Sequence, residues 1–415
     1  VVHVVGGGVA GLSAAVFLAA RGVRPVVHEG AAQAGGRCRS YLDPALGVVI
    51  DNGNHLVLSG NTAVEAYLGT IGAEAALTGP ETACFPFVDL STGERWELRP
   101  NDGALPWWIF SAGRRVPGTS PADYLQFLKL MKAEPGQRID EVISPHGRLW
   151  RRLTAPFLVA ALNTGPEEGS ATLAGAVVRE TLARGGRACR PRIADPTLAA
   201  AFVDPAVAFI EERGGEVRLG KRVRAIGFEG DRAARLTLPD GDLELGARDG
   251  VVVAAPPWSA QELIPGLTAP DEFRAIVNAH FRIIPPPGVD SMTGVVGGLA
   301  EWVFAFEDRV SVTISAADRL ADEDRDALAR AVWADVAAVL RMPLDPLPPW
   351  QIVKERRATF AATPAQDARR PDAETRWANL WLAGDWTATG LPATLEGAVR
   401  SGRRAADLAL AAAPV

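Results

Sequence analysis

Gly6, Gly8 and Gly11 follow the β-prone run Val1 to Val5 and open an alanine- and leucine-rich stretch, while Glu29 closes the next apolar run, PVVHE. That spacing suits a ligand carrying phosphates. The first glycine permits a tight turn, the second lets backbone approach a pair of phosphates, and the third allows a helix to pack closely on a strand. Amides at the helix start, those of Val9 and Ala10 among them, lack partners and favour negative charge. Glu29 can then accept from both hydroxyls of a ribose, and it would repel a 2′-phosphate. Strand, glycine turn, helix, strand and acid together predict an adenine-dinucleotide site.

Just beyond the acid come Gly30 and a second flexible, basic turn, Gly35, Gly36 and Arg37. Arg37 can clamp a pyrophosphate from the side opposite the first helix. A plain nicotinamide domain ordinarily runs straight into another strand and helix, so FAD is the expected cofactor. At the other end of the chain, NLWLAGD reads as a strand, and a helix is expected from near Ala393. Gly384 and Asp385 end that strand, with Asp385 placed to accept from ribityl hydroxyls or a pyrophosphate-bound water. Pro392 and Ala393 carry backbone past the ring system, and the amide of Thr394 at the new helix start can stabilise charge on reduced flavin. Glu396 is expected to cap.

Reaction chemistry is less well marked. Asn52 and Gly53 follow the strand GVVID and present His55, the first candidate for a polar group near the flavin, with a loop-orienting role as the alternative. Asn163, Thr164 and Glu167, in the break between two apolar segments, form a second set. A general acid needs both reach and a suitable pKa, which sequence does not supply.

The positioning elements follow from periodicity. Residues 61–68 read as helical, FPFVDL and RWELRP as a hairpin around STGE, and residues 120 to about 182 as mostly helical. LWRRLTAPFLVAALNTGPEEGSATLAGAVVRETLA predicts two buried helices joined by a loop. From about residue 202 the pattern runs helix, double-glycine turn, strands EVRLG and RVRAIGF, hairpin RLTLPDGDLEL and the strand DGVVVAAPPW, as expected where a chain re-enters its nucleotide domain. Val223 is then expected near the adenine, bonding through its backbone. VVGGLAEWVFAFEDRVSVTISA reads as adjacent strands, DEDRDALARAVWADVAAVL as an amphipathic helix, and IVKERRATFAA as a strand running back towards the cofactor.

Composition bounds the class. A chain of 415 residues with 48% hydrophobic content predicts two domains. The formal charge of −6, with both signs interspersed, excludes a nucleic-acid-binding surface. Cysteines at 38, 84 and 189 form neither a disulfide framework nor a metal pattern, and the five histidines are scattered, so no metal site is expected. The glycine-broken start reads as a nucleotide strand instead of a signal peptide. No apolar run approaches the roughly 20 residues of a membrane span. A cytoplasmic protein is expected, with peripheral attachment to the membrane's inner face left open by Trp107, Trp108 and Phe110, whose alternatives are core packing and a tunnel wall.

VVGGGVAGLSAAVFLAARG, HEGAAQAGGRCRS and LAGDWTATGLPATLEGAVRSGRRAA resemble the amine oxidase and phytoene desaturase superfamily of FAD proteins. Within it, DNGNHLVLSGNTAVEAYLGTIG, AALNTGPEEGSATLAGAVVRETL and TGLPATLEGAVRSG resemble the squalene-associated, hydroxysqualene-dehydroxylating enzymes of bacterial hopanoid synthesis, over essentially the whole chain. Asn54 stands where that family more often has glutamine. The resemblance implies an α/β fold: a Rossmann-like FAD-binding domain of the amine oxidase and glutathione reductase type, with a discontinuous mixed α+β substrate domain. We place the former at 1–60, 203–260 and 351–415 and the latter at 61–202 and 261–350. The resemblance also implies a long apolar isoprenoid substrate, reduction of hydroxysqualene to squalene, and an unidentified electron donor. The hydride would come from N5 of reduced flavin and go to a developing allylic cation as the hydroxyl leaves as water. A phytoene-type desaturase, an amine oxidase and a non-catalytic isoprenoid-binding flavoprotein are the alternatives. Subunit number is not legible.

Overall fold

The computed structural model describes residues 1–412. Five strands form a wholly parallel sheet in the order Glu216–Arg218, Pro25–His28, Val2–Val5, Gly250–Val253, Leu380–Leu382. The central strands Val2–Val5 and Gly250–Val253 are buried at every position. They read as valine runs because a parallel strand covered on both faces has no solvent side. Helix Val9–Ala19 is likewise buried at every residue, so it carries no polar stripe. The C-terminal helix Leu395–Ala412 crosses it so closely that a Cβ on Gly402 would stand 2.2 Å from the Ala10 carbonyl oxygen.

A second sheet of seven strands runs Trp350–Phe360, Phe273–Phe281, Val310–Ile314, Trp302–Ala305, Met292–Val296, Phe85–Asp89, Arg95–Leu98. All its pairings are antiparallel except that of Met292–Val296 with Phe85–Asp89. Alternation along these strands separates two faces. Val88, Val277, Val303 and Val312 enter a core with Val332, Trp333 and Val336 of helix Arg325–Leu340. Their neighbours Phe87, Asn278, Trp302 and Thr313 line a cavity instead. Helices Ala155–Leu162 and Ala171–Glu180, joined by the loop 163–170, supply further wall residues.

Two segments pack differently from the expected division. Strand Trp350–Phe360 belongs to the seven-stranded sheet, so the chain returns to the parallel layer only after residue 360. Helix Thr62–Ile71, expected with the substrate side, buries Val64, Tyr67, Leu68 and Ile71 in the core beneath the parallel sheet. Its start is held there by Glu396, whose two carboxylate oxygens accept from the amides of Ala63 and Val64 at 3.1 and 3.0 Å. Glu396 therefore caps a helix whose start lies 333 positions earlier in the chain, and a helix N-terminus favours its negative charge.

The aromatic cluster also divides. Trp108 is buried edge-on against Tyr124, whereas Trp107 and Phe110 are 66% and 63% exposed.

Candidate active site

One cavity of about 600 Å³ extends from the glycine turn to the apolar face of the seven-stranded sheet. Its phosphate-favouring end begins where Val2–Val5 meets helix Val9–Ala19. Gly6 takes φ +109, and a Cβ on Gly11 would lie 2.0 Å from the Gly6 carbonyl oxygen, so this turn demands glycine at both places. Gly8 is the N-cap and offers no side chain, the first turn holds no acid, and the first intrahelical bond is Leu12 to Gly8. Among the described residues, the amides of Val9, Ala10 and Gly11 have no partner, which fits an anion seated there. Glu29 is fixed beside them by the amides of Gly7 and Ala31, each at 2.7 Å. Two accepted bonds leave its carboxylate further acceptor capacity.

The second turn folds back over the first. Gly35 bridges Gly8 in parallel and donates to the Gly7 carbonyl at 2.8 Å. This presents Arg37, which donates to Asp385 at 2.8 Å and to the Ala358 carbonyl. Gly384 donates to Ser401 of the C-terminal helix, so the strand end and that helix are locked together. Thr394 accepts from the Gly397 amide and begins that helix at the cavity wall. The orphan amides, the acid and the second helix start suit the pyrophosphate, ribose and ring portions of FAD in turn.

Of the residues singled out from sequence, Gly6, Gly8, Val9, Ala10, Glu29, Gly35, Gly36, Arg37, Asn52, Gly53, His55, Asn163, Gly384, Asp385, Ala393 and Thr394 line this one cavity. Gly11, Gly30, Val223 and Pro392 do not. Gly11 acts by packing, and Gly30 abuts Arg222, whose Cβ would lie 3.1 Å from an added Cβ. The Val223 side chain is buried in the core, although its backbone amide and carbonyl find no partner among the described residues. Glu167 does not line the cavity: it is the one exposed residue of a largely buried loop, and its carboxylate folds back against Gly165.

Asn163 reaches the cavity with its polar atoms already engaged. It adopts φ 51 as the C-cap of Ala155–Leu162, donates to Thr359 at 2.9 Å and to the Arg274 carbonyl at 3.3 Å, and accepts from Ala316 at 2.6 Å. Its amide ties a helix to two strands, which leaves little for a reactant. His55 differs, since its ring makes no hydrogen bond among the described residues, and burial lowers its pKa to about 4. It is neutral near pH 7 and can donate one N–H. Burial pushes the thiols of Cys38 and Cys189, also in the wall, up to about 12, which removes thiolate chemistry.

Several wall residues were not anticipated. Ala254 to Trp258 follow Gly250–Val253, at the carboxyl end of a parallel strand, where ligands of open α/β sheets sit. That rule could have found them. Asn278, Thr313, Glu355 and Arg357 carried no local signal, since they reach the cavity through sheet register and side-chain direction, while Arg39 follows the second glycine turn. Beyond the polar groups the lining is Phe85, Phe87, Leu98, Leu153, Phe157 and Val177, an apolar chamber.

The sequence profile of the family described as flavin containing amine oxidoreductase matches residues 9–410. Hydroxysqualene dehydroxylase of Rhodopseudomonas palustris is 56% identical over 412 residues, covering 99% of this chain and 98% of that protein. The Sinorhizobium fredii and Zymomonas mobilis proteins of the same name are 53% and 48% identical, each over 99% of this chain and at least 98% of their own length. Among solved structures, putrescine oxidase superposes with a TM-score of 0.71 at 17% identity, covering 99% of this chain and 98% of that one. Cyclohexylamine oxidase of Brevibacterium oxydans gives 0.67 at 18%, with the same coverage. Those two likenesses bear on the fold alone.

Proposed function

Because the chain belongs to the flavin-containing amine oxidoreductases and, within them, to the hydroxysqualene dehydroxylases, we propose that it is an FAD-dependent oxidoreductase converting hydroxysqualene to squalene. The observation carrying this reading is a single cavity with an anion-favouring glycine cradle at one end and an apolar chamber at the other. Bound in that cradle, FAD in its reduced form supplies the hydride that replaces the hydroxyl.

The chain's own residues do the rest. Glu29 would hold the ribose, the first-turn amides of Val9–Ala19 and the Arg37 guanidinium would hold the pyrophosphate, and the start of Leu395–Ala412 would favour negative charge on the ring. Asp385 fixes Arg37. The apolar walls exclude water that would otherwise recapture a substrate cation, and their aromatic faces stabilise its positive charge. His55, held neutral, donates a hydrogen bond to the departing hydroxyl. Carbon–oxygen cleavage, one hydride and one proton yield squalene and water, and an external reductant must recharge the flavin after each turnover.

The segments 1–71, 203–260 and 361–412 serve as the cofactor-binding part, and the seven-stranded sheet with its helices serves as the substrate part. Leu105, Trp107 and Phe110, each more than 60% exposed, offer a peripheral contact with the inner membrane face that stores such substrates. No helix among the described residues is long and apolar enough to cross a membrane.

Incubating the purified, chemically reduced protein with hydroxysqualene under nitrogen tests the reading. Squalene formation is expected. Aerobic oxidation of phytoene-type polyenes without squalene formation would make it a desaturase.

A further inference from the structure

The chamber contains one ordered line of polar groups. Asn52 donates to Glu355 at 3.3 Å, and its backbone carbonyl accepts from Asn278 at 3.4 Å. Asn278 in turn accepts from the Thr313 hydroxyl at 2.9 Å, and Thr313 accepts from Asn54 at 3.2 Å. All five residues line the cavity, on the face opposite the helix-covered core.

The chemistry of the partners sets the direction of this chain. A backbone carbonyl can only accept, so Asn278 presents its NH₂ to Asn52 and its oxygen to Thr313. The single Thr313 proton is then spent on Asn278, and Thr313 can only accept from Asn54. Asn54 is therefore held with its NH₂ towards Thr313, and its Oδ1 has no partner among the described residues. Beside it stands His55, neutral and also without a partner. An oriented acceptor and, on the next residue, an unpartnered donor, both in the wall of one cavity, are what an alcohol requires.

We infer that Asn54 and His55 form the subsite that recognises the substrate hydroxyl, and that Thr313 is the positioning residue that orients Asn54. The inference rests on the proposed dehydroxylation for its choice of ligand. It predicts a preference for the hydroxylated isoprenoid over the hydrocarbon product, produced by this hydrogen-bonded line.

The test measures binding apart from turnover, by the change in flavin absorbance when hydroxysqualene or squalene is added to the oxidised holoprotein. Wild type should bind hydroxysqualene about tenfold more tightly than squalene, the usual effect of one satisfied hydrogen-bonding pair. Thr313→Val, which preserves volume and suits a strand, should abolish that preference with squalene affinity and flavin content unchanged. Thr313→Ser should restore it, and Asn54→Leu should behave like the valine variant. An intact preference in Thr313→Val and Asn54→Leu, or equal binding of both ligands by wild type, overturns the subsite. Failure of the proposed reaction is seen separately, as absence of squalene from reduced wild-type enzyme.

Discussion

Arg37 and Asp385 meet at 2.8 Å although they stand 348 positions apart, and the Asp385 side chain is only 8% exposed. The pair closes the two ends of the polypeptide over one cavity. Arg37→Ala leaves a buried carboxylate without its cation, which should cost about 1–3 kcal/mol of apoprotein stability. Flavin retention should fall as well. Thermal unfolding without cofactor, followed by a flavin titration, reads the two effects, and an unchanged melting temperature would deny the pair any structural weight.

Glu29→Ala should weaken FAD binding by about 1.5–3 kcal/mol, the range for hydrogen bonds to a charged group. Equal affinity in a flavin titration would remove Glu29 from the ribose site.

Gly402→Ala places a Cβ 2.2 Å from the Ala10 carbonyl oxygen, and backbone cannot yield as a side-chain tip would. The two helices must separate at the point where the pyrophosphate is to be held. We expect a loss of about 1–3 kcal/mol together with reduced flavin content. Denaturant unfolding indistinguishable from wild type would contradict so close a crossing.

Burial holds His55 near pKa 4, against 6.5 when free. The unfolded chain therefore binds this proton more readily, so stability is complete above about pH 6.5 and is lost as pH falls towards 4. His3 and His28 are lowered to about 4 and His280 to about 3, also by burial first, and all act in the same sense. Melting temperatures should fall steadily below pH 6.5. His55→Ala should reduce that acid loss and slow turnover with flavin occupancy retained. Full activity in the variant would dismiss His55 from the reaction.

Glu301 behaves in the opposite sense. Burial raises its pKa to about 7, against the opposing bond from the Ser315 amide at 2.7 Å. A raised folded value means that stability is complete below about pH 4.5 and is lost as pH rises through 7. Glu301→Gln keeps an acceptor for Ser315 and removes the charge. It should stabilise the protein by about 1–3 kcal/mol at pH 8 and hardly at all at pH 5, so an equal gain at both would refute the ionisation.

The cofactor end of the molecule was legible because its requirements are local. A glycine that must take φ +109, a helix start without a side-chain cap and an acid closing a strand are each written within a few residues. Glu167 and Glu396 show where such reading stops. Both are acids beside helix starts in sequence, yet one lies exposed on a loop and the other is buried, capping a helix from the far part of the chain. Exposure and partner come from which segments pack together, and no local pattern carries that. The boundary near residue 351 moved for the same reason, since an eleven-residue strand shows its alternation but not the sheet it will join.

Residue order alone therefore specified the dinucleotide cradle, the valine strands and the family, since each is set by backbone sterics and burial within one short segment. The line from Glu355 through Asn52, Asn278 and Thr313 to Asn54 exists only in the folded chain. It depends on the register between strands Phe273–Phe281 and Val310–Ile314, and on the turn after residue 51 being laid against them. Hydrogen bonds act over about 3 Å, and that proximity is created by packing among distant segments.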